Sequence, residues 1–185
     1  NSTGKRLSPE HAKLYKQRLS QLVALPSVSC TQPDLDMSNL GVINCLSNWL
    51  EHLGFKCKVL PVEGFVGKYN LVATLGKGTG GLVLSGHTDT VPCNPDRWQQ
   101  DPFKLEEKAD RLYGLGSTDM KGFFPVVLAA VEALRDSSAL ENINRPLIVL
   151  ATADEESSMS GARALTESDL HQSRYAVVGE PTELT

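Results

Sequence analysis

Residues 145–156 read RPLIVLATADEE. From Leu147 to Ala153 nearly every position is apolar, without the alternation of a strand that faces water on one side. Such a run reads as a strand covered on both faces, in a sheet held between helical layers. It ends in three acids, Asp154, Glu155 and Glu156. Neighbouring carboxylates repel one another. After a buried strand they either sit in a solvated loop or gather around a cation. Consecutive side chains of extended or turning backbone point in different directions. One Glu can therefore bind a cation while its neighbour takes a proton from an attacking water.

The pattern on either side sets the fold class. Ser8-Pro9-Glu10 reads as a helix start, with Ser8 as N-cap and the helix running to about Leu25. A second helix covers LGVINCLSNWLEHLG, residues 40–54, with Gly54 as its stop. Strand-like runs follow: FKCKVLPV from Phe55, YNLVATLG from Tyr69 and GLVLSG from Gly81. A helix is expected from about Asp119 to Arg135, a short one over SGARALTESDL from Ser160, and a last strand over YAVVG from Tyr175. Strands alternating with helices make an α/β layered domain.

Composition narrows the function. The 185 residues suit one domain with a sizeable core, and 41% hydrophobic with 22% charged residues is an ordinary globular balance. A net charge of -4 and no basic cluster give no footprint for nucleic acid. No apolar run approaches the roughly 18 residues of a membrane span. Cys30, Cys45, Cys57 and Cys93 lie far apart with no C-x-x-C pair, which argues against a structural zinc site and for free thiols in a reducing cytoplasm. The triplet Asn1-Ser2-Thr3 matches a glycosylation pattern by chance. GKGTGG at residues 76–81 matches G-x-G-x-x-G, but a strand rather than a helix follows it, so it reads as a loop. There is no G-x-S-x-G elbow, and Ser160 has no context for a nucleophile.

Four segments share one address. LVLSGHTDT ends a strand and delivers His87 and Asp89; LYGLGSTDMKG leads to Asp119; LIVLATADEE delivers Glu155 and Glu156; YAVVGEPT delivers Glu180. Ligands of open α/β sheets bind beyond the carboxyl ends of the strands, where these segments are expected to converge. One imidazole with several carboxylates and no thiolate suits zinc, and cobalt or manganese also. Asp119 has two oxygens and could bridge two metals, which in such pairs stand about 3.5–4 Å apart. His87 and Asp89 alternate onto one side of a strand end, so Asp89 can take the second imidazole N–H.

SGHTDTVP, RLYGLGSTDMKGF, ATADEE and VVGEPT, between residues 82 and 182, resemble the two-zinc metallopeptidase family that holds acetylornithine deacetylase, succinyl-diaminopimelate desuccinylase, aminoacylase and carboxypeptidase G. RWQQDPFKL, GLGSTDMKGFF and LATADEESSMSGAR are most similar to its acetylornithine branch. The resemblance implies a three-layer zinc-exopeptidase-like domain, with a mixed, mostly parallel sheet between helices. It implies that His87 and Glu180 bind one metal, that Asp119 bridges two, and that Glu156 binds the second. It makes Glu155 the general base and Asp89 the partner of His87. A cis peptide after Asp119 is implied as well. The reaction would be hydrolysis of an N-acyl amino acid, with N2-acetyl-L-ornithine the expected substrate, an N-succinyl substrate the alternative, and a non-catalytic metal-binding fragment the alternative of another class. Family members also carry a lid or dimerisation domain, a lid histidine and a further histidine ligand. The chain reaches GEPTELT where the lid would begin, and His11, His52 and His171 match neither histidine. Residues 1–185 are therefore expected to be the first portion of the catalytic domain of a cytoplasmic homodimer.

Overall fold

A computed structural model describes residues 8–141 and 143–182 of the chain; the Asn1-Ser2-Thr3 triplet lies outside them. Helix α1 (Pro9–Val23) starts as its cap dictates. Ser8 is extended, its hydroxyl accepts from the His11 N–H at 3.3 Å, and Pro9 fills the first turn. Helix α2 (Leu40–His52) stops just before Gly54, whose φ of +90° suits a residue without Cβ. Strands β1 (Lys56–Pro61), β2 (Tyr69–Leu75) and β3 (Leu82–His87) follow. The GKGTGG segment is the loop between β2 and β3, with positive φ at Gly76, Gly78 and Gly80.

A small hairpin, β4 (Glu106–Lys108) with β5 (Arg111–Tyr113), was not expected from sequence. Its turn residues Ala109 and Asp110 both have positive φ, at +51° and +57°. The Asn-Gly or Asp-Gly marker of such turns is absent, so the sequence carried no signal. Helix α3 spans Phe123–Asp136 and begins four residues later than expected. Residues 116–122 form a turn instead, closed by the Lys121 N–H on the Gly116 carbonyl at 2.8 Å, and the Asp119–Met120 peptide within it is cis.

Strand β6 (Leu147–Thr152) is buried at all six positions. Helix α4 is only Ser160–Arg163, shorter than expected. Beyond it the Asp169 carboxylate accepts from both the N–H and the hydroxyl of Thr166, a side-chain alternative to helical hydrogen bonding. Strand β7 (Tyr175–Val178) is the last strand among the described residues.

The sheet order is β1-β2-β6-β3-β7. Strands β1, β6, β3 and β7 run one way and β2 runs against them, a mixed, mostly parallel sheet. Period-two alternation splits the core between its faces. Leu71, Ala73, Val149 and Ala151 meet Leu22 of α1, Val42, Ile43, Leu46 and Leu50 of α2, and Phe124, Val127, Leu128 and Val131 of α3. Val72, Ile148, Leu150 and Val83 face the other way, against Leu60, Leu165 and Leu170. Each large side chain so buried contributes about 1.5–3 kcal/mol. Arg18 of α1 and Glu132 of α3 join the two helices through a pair of hydrogen bonds, one of 3.0 Å.

Cys30, Cys45, Cys57 and Cys93 are all free. Ser160 opens α4 and donates to Asp154, a structural rather than nucleophilic setting. Among the described residues no helix is long and apolar enough to cross a membrane.

Candidate metal centre

The carboxyl ends of β3, β6 and β7 lie side by side, because β3 pairs in parallel with both neighbours. His87 is the last residue of β3 and stands opposite Thr152, the last of β6. Glu155 and Glu156 follow β6 after one turn, and Glu180 follows β7 across Gly179. Asp119 arrives from the turn that precedes α3.

The structure brings these residues into one group. His87 Nε2 lies 3.0 Å from Asp119 Oδ1, 3.7 Å from Glu180 Oε1 and 3.9 Å from Glu155 Oε2. Ligand atoms of His87, Asp119 and Glu156 all lie within 4.8 Å of one another, and so do those of His87, Glu155 and Glu180. His87 is 1% exposed, whereas the Asp119 side chain is 50% exposed, so the imidazole forms the floor and the carboxylates form an open rim. His11 and His52 lie on α1 and α2, and the ring of His171 sits 3.4 Å from the Thr74 hydroxyl.

Small residues let the parts close up. A Cβ on Gly86 would stand 2.8 Å from Met120 Cε and 2.9 Å from Phe123 Cδ1. One on Gly179 would stand 2.2 Å from Phe123 Cδ2. The turn that carries Asp119 thus packs directly beneath the strand ends that carry His87 and Glu180.

Asp89 faces His87 through both its backbone and its side chain. His87 Nδ1 donates to the backbone carbonyl of Asp89 at 3.0 Å, and the Asp89 carboxylate is farther away, at 3.5 Å. That carboxylate accepts the Glu155 N–H at 3.2 Å on one oxygen and the Glu156 N–H at 3.0 Å on the other. Asp89 therefore grips the turn carrying the two acids as well as facing the imidazole. Sequence pattern could not show this, because the donors are backbone groups.

Electrostatics describe a site short of positive charge. Burial raises the Glu156 and Glu180 carboxyls above the usual range, and neighbouring carboxylates raise them further. Burial alone would lower the pKa of His87. The Asp89, Asp119 and Glu155 carboxylates outweigh it and push the imidazole up to about 9. Burial would raise Asp89, but His87 and the two backbone N–H groups hold it low. Among the described residues no lysine or arginine forms an ion pair with Asp119, Glu155, Glu156 or Glu180. Oxygen and nitrogen donors at this spacing, with surplus negative charge, suit a hard or borderline divalent cation such as zinc.

Two buried lysines were missed at sequence level. Lys121 is 1% exposed, and its ammonium donates to the carbonyls of Leu22 at 3.0 Å and Leu25 at 2.7 Å, at the end of α1. Burial pulls its pKa down to about 8. Lys68 is also buried, beside β2. Neither position carries a sequence signal for burial, since lysine is usually exposed.

Residues 83–185 match the family described as Peptidase family M20/M25/M40. Acetylornithine deacetylase of Proteus mirabilis (strain HI4320) is 51% identical over 176 residues, 95% of this chain and 43% of that protein. Acetylornithine deacetylase of Salmonella agona (strain SL483) is 46% identical over 180 residues, 97% of this chain and 45% of that protein. The chain thus spans less than half the length of these relatives. Human carnosine dipeptidase 1 superposes with a TM-score of 0.72 at 25% identity, over 91% of this chain and 38% of that one. A tripeptidase from Staphylococcus aureus gives a TM-score of 0.69 at 19% identity, over 92% of this chain and 43% of that one, a likeness of fold.

Proposed function

The chain belongs to the peptidase family M20/M25/M40, and from that premise we propose that the whole protein hydrolyses N2-acetyl-L-ornithine to L-ornithine and acetate with two zinc ions. The substrate rests on the relatives named acetylornithine deacetylase. The chemistry rests on one observation: a buried imidazole and four carboxylates, delivered by four separate segments, share one strand-end mouth.

On this reading His87, Asp119 and Glu180 would hold one zinc. Asp119 and Glu156 would hold the other, with a ligand from outside residues 1–185. Bound zinc supplies Lewis acidity, which polarises an acyl oxygen and acidifies water. The remaining work belongs to the chain. The Glu155 carboxylate takes a proton from the attacking water as it adds to the acyl carbon. It then passes that proton to the amine nitrogen as the C–N bond breaks. The Asp89 carbonyl fixes the Nδ1–H of His87, which leaves Nε2 free to ligate. Residues 1–185 then form the first portion of the catalytic domain of a cytoplasmic homodimer, joined through a lid domain, and cobalt can replace zinc.

The test uses the complete protein, stripped by a chelator and then reloaded with zinc. Acetate release from N-acetylornithine is compared with succinate release from N-succinyl-diaminopimelate. The expected result is preference for the acetyl substrate, loss on chelation and recovery with zinc. Preference for the succinyl substrate, or full activity after chelation, would overturn the reading.

A further inference from the structure

Glu155 and Glu156 face the mouth, but the first of the three acids does not. Asp154 is 3% exposed and turned into the interior. Its Oδ1 lies 2.9 Å from the ammonium of Lys68 and accepts from the Ser29 hydroxyl at 3.1 Å. Its Oδ2 accepts from the Ser160 hydroxyl at 2.9 Å. Lys68 is 4% exposed and donates also to Asp36 Oδ1 at 2.7 Å and to the Met37 carbonyl at 2.8 Å. All three of its protons have acceptors.

We infer that the buried Lys68–Asp154 pair sets the turn that presents Glu156 to the metal centre, so that Lys68 is a positioning residue for the zinc site Glu156 serves. The inference rests on the two-zinc reading above. The backbone supports it independently of any titration. Asp154 has a φ of +55°, a left-handed conformation rare for a residue with a Cβ, which persists only where surroundings impose it. Here its carboxylate is anchored inward by Lys68, Ser29 and Ser160, and its carbonyl accepts from the Met159 N–H at 2.6 Å. On the opposite side the next two N–H groups are gripped by Asp89. The turn is thus fastened from both sides of a residue whose left-handed backbone reverses the chain. Releasing the inner fastening frees Glu155 and Glu156 to rotate together. A buried ion pair is weak evidence for stability alone, since desolvation offsets much of its attraction; holding one geometry is its better-attested use.

The test measures zinc affinity in the complete, metal-stripped protein by competition with chromophoric chelators, alongside urea unfolding. Glu156→Gln and Glu180→Gln mark which affinity belongs to which site. Lys68→Met keeps the bulk of the side chain and removes its charge. It is expected to weaken the Glu156 site about 10–100-fold, as loss of a ligand's supporting partner typically does, and to leave the Glu180 site unchanged. Adding Asp154→Asn to Lys68→Met removes the unpaired charge and is expected to recover part of the loss. If Lys68→Met does not fold, Ser160→Ala removes one bond to Asp154 and should give a smaller loss at the same site. Equal weakening of both sites, in step with a lower unfolding midpoint, would make the pair merely structural and overturn the inference. So would unchanged zinc binding in Lys68→Met or, where that variant does not fold, in Ser160→Ala. A wild-type protein that binds no zinc sinks the two-zinc reading, and this inference with it.

Discussion

The ends of β6 and β7 deliver acids to the same mouth in contrasting ways. Strand β6 is flanked by β2 and β3 and buried at every residue; among the described residues β7 pairs on one side only and is exposed at all four positions. After β6, the turn bearing Glu155 and Glu156 is held by two N–H bonds to Asp89 and by the interior anchoring of Asp154. After β7, among the described residues, Glu180 is steadied by a backbone bond from the Gly179 N–H to the Ser85 carbonyl at 3.0 Å and by the fit of Gly179 over Phe123. Among the described residues, one wall of the site is therefore preorganised by the core and the other is more lightly fastened. Chemistry that tolerates little displacement belongs on the first wall.

The sharpest way to break that contrast is at the chemistry itself. Glu155→Gln keeps shape but cannot accept a proton, and should lower turnover of the complete protein about 10²–10⁴-fold. Zinc content, read by elemental analysis, should stay at the wild-type level; near wild-type turnover would move the base elsewhere. Next comes the support under the rigid wall. Ile148→Ala in the buried strand should cost about 2–5 kcal/mol in urea unfolding. Asp89→Asn leaves only one oxygen to accept from the two N–H groups of the turn. It should weaken zinc binding about 10–100-fold, measured by chelator competition. Acidity probes the floor shared by both walls. His87 titrates near 9 and must lose its proton to ligate. Zinc affinity should therefore fall about tenfold for each pH unit below that value, with proton release on binding. A pH-independent affinity between pH 6 and 8 would show that His87 is already neutral. The smallest effect is expected on β7: in a protein of residues 1–185 alone, Val178→Thr should change stability by no more than about 0.5 kcal/mol.

Much of this was legible in the residues. The unbroken apolar run of β6 marked a central, doubly covered strand, Ser8 and Gly54 marked helix ends, and the strand-end positions of His87, Glu155, Glu156 and Glu180 pointed to one mouth. What was illegible has a common physical origin. The β4–β5 turn uses Ala109 and Asp110 where glycine or asparagine would have advertised it. The late start of α3 follows from backbone closure between Lys121 and Gly116. Lys68 and Asp154 meet only once β2 and β6 pair, so neither residue's neighbours in the chain reveal the other. Asp89 was read through its histidine, which its carboxylate does face, but that carboxylate also holds main-chain donors that no residue type announces.

The place of β6 between β2 and β3 also has a consequence in time. Strands β2 and β3 are successive in the chain, yet neither can pair with the other, because the slot between them belongs to a later strand. Thr152, which accepts from both the N–H and the hydroxyl of Thr88, comes 64 residues after it. At a synthesis rate of roughly 5–20 residues per second, that interval is about 3–13 seconds. Through it the nascent chain carries the open edge of β2 and both edges of β3 with free N–H and C=O groups, the kind of surface that templates unwanted pairing. The half-made sheet is a candidate client for whatever shields emerging chains, and the histidine that floors the metal centre is made well before the acids that surround it.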